Sequence, residues 1–149
     1  MGTNLNRRNF LLTGATTVAG LALMSGEAKA QQDQDLLSGI NKAKDMQNPS
    51  GLELKHVPVL ELPSNIAAGE PFSLKITVGK NLHPMEREHF IQWVQVFVND
   101  VWIAQALLSP EHTQPIVEFS IILKDPGKIR AEILCNKHGV WENEVEVSF

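Results

Sequence analysis

From residue 72 to the C-terminus, apolar and polar residues alternate along much of the chain with a period of two. In an extended strand, successive side chains point to opposite faces, so this alternation predicts strands with one buried and one solvated face. The clearest rows of alternating apolar positions are Phe72–Val78, Val117–Leu123, Ile129–Cys135 and Val145–Phe149. Three further β-rich runs, the last one weaker, are Leu52–Leu62, Phe90–Val98 and Val101–Leu108.

The segments between these runs are rich in glycine, proline, asparagine and aspartate, which favour turns. They are Ala67–Pro71, Asn99-Asp100, Ser109-Pro110 and Lys124–Gly127. Seven short strands separated by turns, with no long helical pattern, predict an all-β fold: a seven-stranded, immunoglobulin-like antiparallel β-sandwich. We expect this domain to occupy residues 51–149, and the polar stretch 31–50 to be a loosely attached tether.

The first thirty residues predict a removable export signal and not a part of the fold. Its parts, in order, are Arg7-Arg8 followed by Phe10 and Leu11, an uncharged and moderately apolar run to Gly26, and the small-x-small triplet Ala28-Lys29-Ala30. This order is typical of secretory signals, and the paired arginines indicate the twin-arginine type. We therefore expect a periplasmic protein that is cleaved after Ala30.

Removing residues 1–30 leaves 149 − 30 = 119 residues, enough for one hydrophobic core and too few for two domains. The signal carries three basic residues and one acidic residue, so the formal charge falls from −4 to about −6. Such an acidic chain argues against nucleic acid or an anionic membrane as its partner. Cys135 is the only cysteine, so the chain forms no internal disulfide, and a lone thiol in an oxidising compartment indicates burial or metal binding.

Four of the five histidines, together with Cys135, fall into three compact clusters. The clusters are Lys55–Pro58 in the predicted first strand, His83–His89 in the loop before the Phe90 run, and Cys135–Trp141 in the turn between the last two strands. Taken singly, these residues have plainer explanations: packed or solvated histidines, half of a zinc site, or a buried small cysteine. Their occurrence together at strand ends and loops favours one shared metal site. His112 has no partner motif and is expected to be a surface residue.

The three clusters closely resemble those of the superoxide reductase family, which includes neelaredoxin and the iron-binding domain of desulfoferrodoxin. The matching segments are Lys55–Val59, Val78–Lys80 with His83–Met85 and Glu88-His89, and Cys135–Glu142, within a similarity spanning about Gly51–Phe149. The resemblance implies one-electron reduction of superoxide to hydrogen peroxide at a mononuclear non-haem iron that cycles between Fe²⁺ and Fe³⁺. The electron would come from a small electron-donor protein. Relatives are dimers or tetramers, which implies a homo-oligomer. The single cysteine excludes the rubredoxin-like Cys₄ domain of some members.

The resemblance also implies a ligand set. Four histidines bind iron in a plane in this family, and a cysteine binds axially, opposite a position that is open to superoxide. The matching residues here are His56, His83, His89, His138 and the axial Cys135. Four imidazoles and one thiolate suit ferrous iron better than zinc, and backbone N–H groups of the 136–138 turn are expected to bond the sulfur. The lysine that matches Lys55 lies near the open position, so Lys55 is expected to attract the anion.

One position departs from the family pattern. Many members have a glutamate directly before the lysine, as the sixth ligand of the oxidised iron, whereas this chain has Leu54. Glu53 is one residue away and in a strand would face the opposite side. Glu86 and Glu88 are the remaining candidates, so the ligand of the oxidised resting state stays open.

Three other functions share part of this pattern. A cupredoxin-like electron-transfer sandwich also has a Cys–His turn near its C-terminus, but it needs a methionine shortly after the last histidine, and none follows His138. A carrier that uses Cys135 as a covalent arm needs an exposed cysteine on a flexible tail. A structural zinc site leaves two histidines unexplained. The sequence therefore favours the iron enzyme, with a non-catalytic electron-transfer or metal-binding β-sandwich as the alternative.

Overall fold

The computed structural model describes residues 36–149, so the predicted signal at residues 1–30 lies outside the described part of the chain. This part contains one short helix and eight strands. They are β1 Ile40–Asn41, α1 Gly51–His56, β2 Pro58–Glu61, β3 Pro71–Val78, β4 Ile91–Val98, β5 Val101–Leu107, β6 Ile116–Ile122, β7 Gly127–Cys135 and β8 Gly139–Val147. Within these residues no helix is long and apolar enough to cross a membrane.

The strands form the two sheets of a β-sandwich. One sheet has five strands in the order β1-β8-β7-β4-β5, and the other has three strands in the order β2-β3-β6. Every named pair is antiparallel except β1 with β8, which is parallel. The predicted all-β, immunoglobulin-like sandwich is confirmed, and its seven expected strands correspond to β2–β8.

The core lies between the sheets and is built from the inward-facing rows that the alternation predicted. Its fully buried side chains include Leu74 and Ile76 of β3, Val94 and Val96 of β4, and Ile129 and Ile133 of β7. Burying a side chain of this size stabilises the fold by about 1.5–3 kcal/mol before the entropy cost. These three strands therefore form a rigid base, and their ends are where the functional side chains lie.

The first predicted strand is wrong in its first half, because Gly51–His56 form helix α1 and only Pro58–Glu61 form β2. Ser50 caps this helix. Its hydroxyl accepts a hydrogen bond from the Glu53 amide at 3.4 Å, and the Glu53 carboxylate accepts one from the Ser50 amide at 2.5 Å. The helix ends at His56 because the next residue, which precedes Pro58, is held in an extended conformation.

Residues 36–47, called here the N-terminal arm, are attached to the five-stranded sheet. Ile40 pairs with Val140, and the Asn41 side chain donates to the Val140 carbonyl at 2.8 Å. Farther along, the Lys44 amide donates to the Glu53 carboxylate at 3.0 Å. The arm is part of the stretch expected to be a tether, and the sequence did not predict this strand.

A turn after β3 fixes the position of α1. The Gly79 amide donates to the Val57 carbonyl at 3.1 Å, and the Asn81 amide donates to the Leu54 carbonyl at 3.0 Å. Gly79 has a φ of 84°, and a Cβ there would lie 2.5 Å from the Lys55 and Asn81 carbonyl oxygens. Only glycine permits this close approach between the turn and the helix.

We expect Gly79→Ala to destabilise the protein by about 2–4 kcal/mol in urea unfolding, because it combines backbone strain with a clash against α1. Gly69→Ala is a matched control, since Gly69 has a similar φ of 79° but nothing lies within 4 Å of where its Cβ would be. Gly69→Ala should lower the free energy of unfolding only by the strain of a left-handed backbone conformation, about 1–2 kcal/mol. Equal losses in the two variants would show that the approach of the turn to α1 carries no extra energy.

Candidate metal centre

The described structure brings the five predicted ligands together at one end of the sandwich. Each of them sits at, or just beyond, the end of an element whose register is fixed by pairing. His56 ends α1, His83 follows β3, His89 precedes β4, Cys135 ends β7, and His138 lies in the turn before β8. The β4–β7 pairing sets Ile91 opposite Cys135, and the β7–β8 pairing sets Cys135 opposite Gly139. Long-range strand pairing therefore assembles the cluster.

The four imidazole rings lie at the corners of a square. Neighbouring ring centroids are 4.7 Å apart for His56–His83, 4.5 Å for His83–His89, 4.9 Å for His89–His138 and 4.7 Å for His138–His56. Each neighbouring pair is close to perpendicular, with interplanar angles of 74–82°. The diagonal between His56 and His89 is longer, at 6.0 Å. The rings thus surround a common centre.

Backbone carbonyls fix the orientation of two of these rings. The Nδ1 atom of His56 lies 2.7 Å from the Leu52 carbonyl oxygen, and the Nδ1 atom of His83 lies 2.6 Å from the Pro84 carbonyl oxygen. A carbonyl oxygen only accepts, so both Nδ1 atoms carry the hydrogen. In the neutral rings each Nε2 therefore presents a lone pair toward the centre, which is the arrangement of a metal-binding histidine.

These inward-facing nitrogens fit a metal ion. The Nε2 atoms of His56 and His83 are 3.2 Å apart although neither can donate to the other, and the buried Nε2 of His89 has no hydrogen-bond partner. His56 Nε2 also lies 2.9 Å from Nδ1 of His138. Metal–nitrogen bonds of about 2.1 Å at right angles would place adjacent nitrogens about 3 Å apart. A cation held between these nitrogens would give each of them a partner.

Cys135 supplies the fifth donor atom. The candidate ligand atoms of His56, His83, His89 and Cys135 all lie within 4.8 Å of one another, and the sulfur is 3.5 Å from Nδ1 of His138. Burial raises the pKa of the Cys135 thiol, while the backbone N–H groups of Lys137 and His138 act in the opposite direction. These N–H groups would stabilise a thiolate once a metal displaces the proton.

The imidazoles are neutral at ordinary pH. Burial lowers the pKa of His56 to about 4 and that of His83 to about 4, and it also lowers the pKa of His89 and His138. Neutral imidazole is the form that binds a metal. Five donors, four borderline nitrogens and one soft sulfur, exceed the four ligands of a structural zinc site and suit a transition ion such as iron.

Lys55 lies beside the cluster, next to His56, and its side chain is exposed. Its positive charge contributes to the lowered pKa of both His56 and His89. Lys137, which is also exposed, has the same effect on His89 and His138. The two lysines therefore place positive charge beside the cluster, and at His89 the carboxylate of Glu86 acts in the opposite direction.

The three glutamates considered as a sixth ligand, Glu53, Glu86 and Glu88, lie in two different environments. Glu53 belongs to α1 and not to a strand, and it is buried with its carboxylate bonded to the amides of Ser50 and Lys44. Those bonds hold its pKa below the usual range, and they commit the side chain to the helix cap. Glu86 and Glu88 are exposed in the loop before β4. His112 is exposed, as expected.

Two residues quoted in the motifs have supporting roles that the sequence did not reveal. The Trp141 ring stacks on His56 at 5.1 Å, and its Nε1 donates to the His138 carbonyl at 3.0 Å. Asn136 accepts from the Phe90 amide at 2.9 Å and donates to the Glu88 carbonyl at 3.0 Å. Trp141 thus packs on the His56 ring and anchors the backbone of His138, and Asn136 ties the Cys135 turn to the segment that carries His89.

Residues 48–144 match the Desulfoferrodoxin family. The chain belongs to the desulfoferrodoxin family. It is 36% identical over 101 residues to a superoxide reductase of Thermococcus kodakarensis, in a match covering 61% of this chain and 85% of that protein. A superoxide reductase of Pyrococcus furiosus is 34% identical over 110 residues, covering 61% and 86%. Among solved structures, the superoxide reductase (neelaredoxin) of Ignicoccus hospitalis superposes with a TM-score of 0.65 at 28% identity, covering 73% and 94%.

The desulfoferrodoxin family binds iron, and this chain has a cluster of histidine and cysteine donors at one site, so iron is the metal expected there. The role of each individual residue as an iron ligand remains a prediction. The geometry that supports it is the square of four rings with the Cys135 sulfur close by.

Proposed function

We propose that this protein is a superoxide reductase. Superoxide gains one electron and two protons and leaves as hydrogen peroxide, and the electron comes from an external donor. The observation that carries the proposal is the cluster of four neutral imidazoles and one buried thiol in a desulfoferrodoxin family member. Purified protein should contain one iron per chain. Stoichiometric zinc in protein produced with ample iron would argue against the assignment.

The residues that would hold iron are His56, His83, His89, His138 and Cys135. When bound, iron supplies a one-electron couple, Fe²⁺/Fe³⁺, and a position for the anion beyond its five protein donors. The chain's own contribution is to hold the rings before the metal arrives. The Leu52 and Pro84 carbonyls fix two of them, so these two rings would already present their Nε2 atoms to an incoming metal ion.

Lys55 is the residue we assign to the substrate. Superoxide is a small anion, whereas the chain without its predicted signal carries about −6, so approach depends on a local positive charge. Lys55 is exposed, and α1 places it one residue before His56. Its ammonium group can draw the anion toward the cluster without itself binding iron.

The departure at Leu54 leads to a prediction about the oxidised protein. Glu53 is committed to the helix cap, so the position taken by glutamate in many relatives has no equivalent here. Azide or cyanide should therefore bind the ferric protein readily and shift its visible spectrum in a titration. Glu86→Gln and Glu88→Gln serve as controls and should leave the anion affinity unchanged. Tighter anion binding in either variant would identify that glutamate as a competing ligand.

Export by the twin-arginine route is part of the proposal. Its support is the order of the parts within residues 1–30: paired arginines, an apolar run and the triplet ending at Ala30. A periplasmic location follows from it. In N-terminal sequencing, protein from the periplasmic fraction should begin at Gln31. Replacement of Arg7-Arg8 by lysines should leave the protein in the cytoplasm.

We also propose that the protein is a homo-oligomer. Strand β5 is an edge of the five-stranded sheet in the described chain, and its sequence, Val101–Leu107, contains no charged residue. Val101, Trp102 and Leu107 are 63%, 54% and 76% exposed. An uncharged apolar edge of this kind favours pairing with another strand. Sedimentation should give more than one chain per particle, and Trp102→Lys should lower that number.

The alternative of a non-catalytic electron-transfer sandwich is not favoured. The described site has four converging histidines with one cysteine, which exceeds the His₂Cys set of a blue-copper centre. A covalent carrier role is also not favoured, because Cys135 is fully buried.

A further inference from the structure

We propose that the N-terminal arm is a strap that ties together the two segments carrying His56 and His138, and that Asn41 and Glu53 are the positioning residues at its two ends. The inference rests on the proposed function for the identity of the metal. It adds a role for a segment that carries no candidate ligand, and for a buried carboxylate that the reduction of superoxide does not use.

The first half of the arm holds the turn that carries His138. The Nδ2 atom of Asn41 donates to the Val140 carbonyl at 2.8 Å and lies 3.5 Å from the His138 carbonyl oxygen. Gly139 has a φ of 75°, and a Cβ there would lie 2.9 Å from the Leu36 carbonyl oxygen. Such a short contact requires glycine, so the backbones of the arm and of the turn pack directly against each other. The turn is therefore held by the arm as well as by the β7–β8 pairing.

The strand that the arm pairs with also carries Trp141, which contacts both ligands. The register of the parallel pair β1–β8 sets Asn41 opposite Trp141. The Trp141 ring stacks on the His56 ring at 5.1 Å with an interplanar angle of 24°, and its Nε1 atom donates to the His138 carbonyl at 3.0 Å. Fixing the β8 backbone at this point therefore also fixes the surface on which the His56 ring packs.

The second half of the arm holds helix α1, which ends at His56. The Glu53 carboxylate is buried, with 7% of the residue exposed. One of its oxygens accepts from the Lys44 amide of the arm at 3.0 Å, and the other accepts from the Ser50 amide at the start of the helix at 2.5 Å. A buried carboxylate without such bonds is strongly destabilising, so the arm has to stay in place while this side chain is buried.

Further contacts fix the arm between its two ends. The Lys42 ammonium pairs with the Glu142 carboxylate, which is buried, and Ala43 packs against the hydrophobic core. Near the end of the arm, the Lys80 ammonium donates to the Met46 carbonyl at 3.0 Å. The arm is thus attached at several points along residues 36–46, as a strap needs to be if it is to join two parts of the site.

The strap acts on one edge of the four-histidine square. Nε2 of His56 lies 2.9 Å from Nδ1 of His138, although 82 positions separate the two residues in the sequence. The β7–β8 pairing fixes the His138 turn, whereas α1 is only six residues long and belongs to neither sheet. A helix of this length is not stable by itself, so its position depends on the arm and on the turn after β3. Loss of either end of the strap should let the two rings separate more readily.

The rate at which iron leaves the protein tests this role without measuring turnover. Ferrous, iron-loaded protein is mixed anaerobically with an excess of a strong Fe²⁺ chelator. Asn41→Leu keeps the approximate size of the side chain but cannot donate to the Val140 carbonyl. Glu53→Gln still accepts from the Ser50 amide, as glutamine does in a capping box, but its NH₂ group faces the Lys44 amide. Each variant should release iron about tenfold faster than the wild type, as is typical when the support of a metal ligand is removed.

The double variant shows whether the two residues act through one segment. If Asn41 and Glu53 are the two ends of a single strap, releasing one end removes most of its effect. Asn41→Leu with Glu53→Gln should then release iron at most about threefold faster than the faster single variant. Independent local effects would multiply to about a hundredfold, because uncoupled sites are additive in free energy, and that result would overturn the strap.

Gly69→Ala is the control for a general loss of stability. Gly69 lies in the turn before β3, whereas His83 follows the other end of that strand, so the substitution is remote from the cluster. It should lower the stability through backbone strain and leave the rate of iron release at the wild-type value. In cobalt(II)-substituted protein, Asn41→Leu and Glu53→Gln should shift the ligand-field absorption bands and Gly69→Ala should not, because only the first two change the positions of the rings.

Equal iron-release rates in the wild type and in either single variant would overturn the strap and leave the proposed function intact. An equal acceleration by Gly69→Ala would overturn it too, since the effect would then be one of stability alone. Asn41 is exposed, so Asn41→Leu should fold and decides the question even if Glu53→Gln does not fold. A wild-type protein that retains iron but does not reduce superoxide would contradict the proposed function and not the strap.

Discussion

Replacing Cys135 with serine should abolish the visible charge-transfer band of the oxidised protein and most of its turnover. The band requires a thiolate bound to iron, and the serine oxygen is a harder and weaker electron donor. Loss of this donor should cost roughly 3 kcal/mol or more in the rate-limiting step, about 100-fold in rate. The measurement is the absorption spectrum of the iron-loaded variant together with its reaction with superoxide in stopped flow.

The control is the iron content and thermal unfolding of the same variant. Cys135 is fully buried at the end of β7, and serine is close to it in size, so the fold should persist. The four-histidine square should still retain iron, although less tightly. A variant that keeps the band and the rate would show that Cys135 is not an iron ligand.

Removing the charge of Lys55 should slow the second-order reaction with superoxide and leave the iron spectrum unchanged. One unit charge near a small anion, in partly dehydrated surroundings, is worth about 1–2 kcal/mol, or about tenfold in rate for Lys55→Ala. The wild-type rate should fall as ionic strength rises, and the rate of the variant should fall less, because the screened attraction has gone. Pulse radiolysis at several salt concentrations measures both effects.

Two variants serve as controls for this charge effect. Lys55→Arg keeps the charge and should retain most of the rate and of the salt dependence. Lys124→Ala removes an equal charge from the exposed turn after β6, away from the cluster, and should change neither. Equal rates and equal salt slopes for Lys55→Ala and wild type would make Lys55 an ordinary solvated lysine.

The strands of the sandwich could be predicted from the sequence because period-two alternation directly reflects one buried face. Ile129, Ile133 and Cys135 were placed inward on this basis, and all three are fully buried. The clustering of four histidines with Cys135 favoured one shared metal site, and the resemblance to the superoxide reductase family implied which of these residues are ligands. Their assembly into a square could not be predicted, since it depends on strand pairings such as Ile91 with Cys135, far apart in sequence.

Helix α1 was missed although the sequence contains a signal for it. Ser50 and Glu53 have the spacing of a capping box, and Pro58 marks the boundary after the helix. The apolar character of Leu52–Leu62 outweighed that signal and gave a strand. The error also affected Glu53. It was expected to lie on a strand and to face away from the site, whereas its carboxylate belongs to the capping box of α1.

The attachment of the N-terminal arm had no comparable signal. Its strand β1 is two residues long, Ile40–Asn41, and lies in a polar stretch with no alternation. The strand pairs with the edge of β8, and the Asn41 side chain donates to the Val140 carbonyl. Both contacts join residues about 100 positions apart, so they form only in the folded chain. Short edge strands of this kind are set by tertiary contacts more than by local preference.

The product ratio of the reaction with superoxide tests the central claim most directly. Pre-reduced, iron-loaded protein should be mixed anaerobically with a limiting amount of superoxide, and hydrogen peroxide and dioxygen should be measured together. A reductase yields one hydrogen peroxide for each superoxide consumed, with one iron oxidised and no dioxygen released. Half as much hydrogen peroxide accompanied by dioxygen, with the iron left reduced, would mean dismutation and would contradict the account.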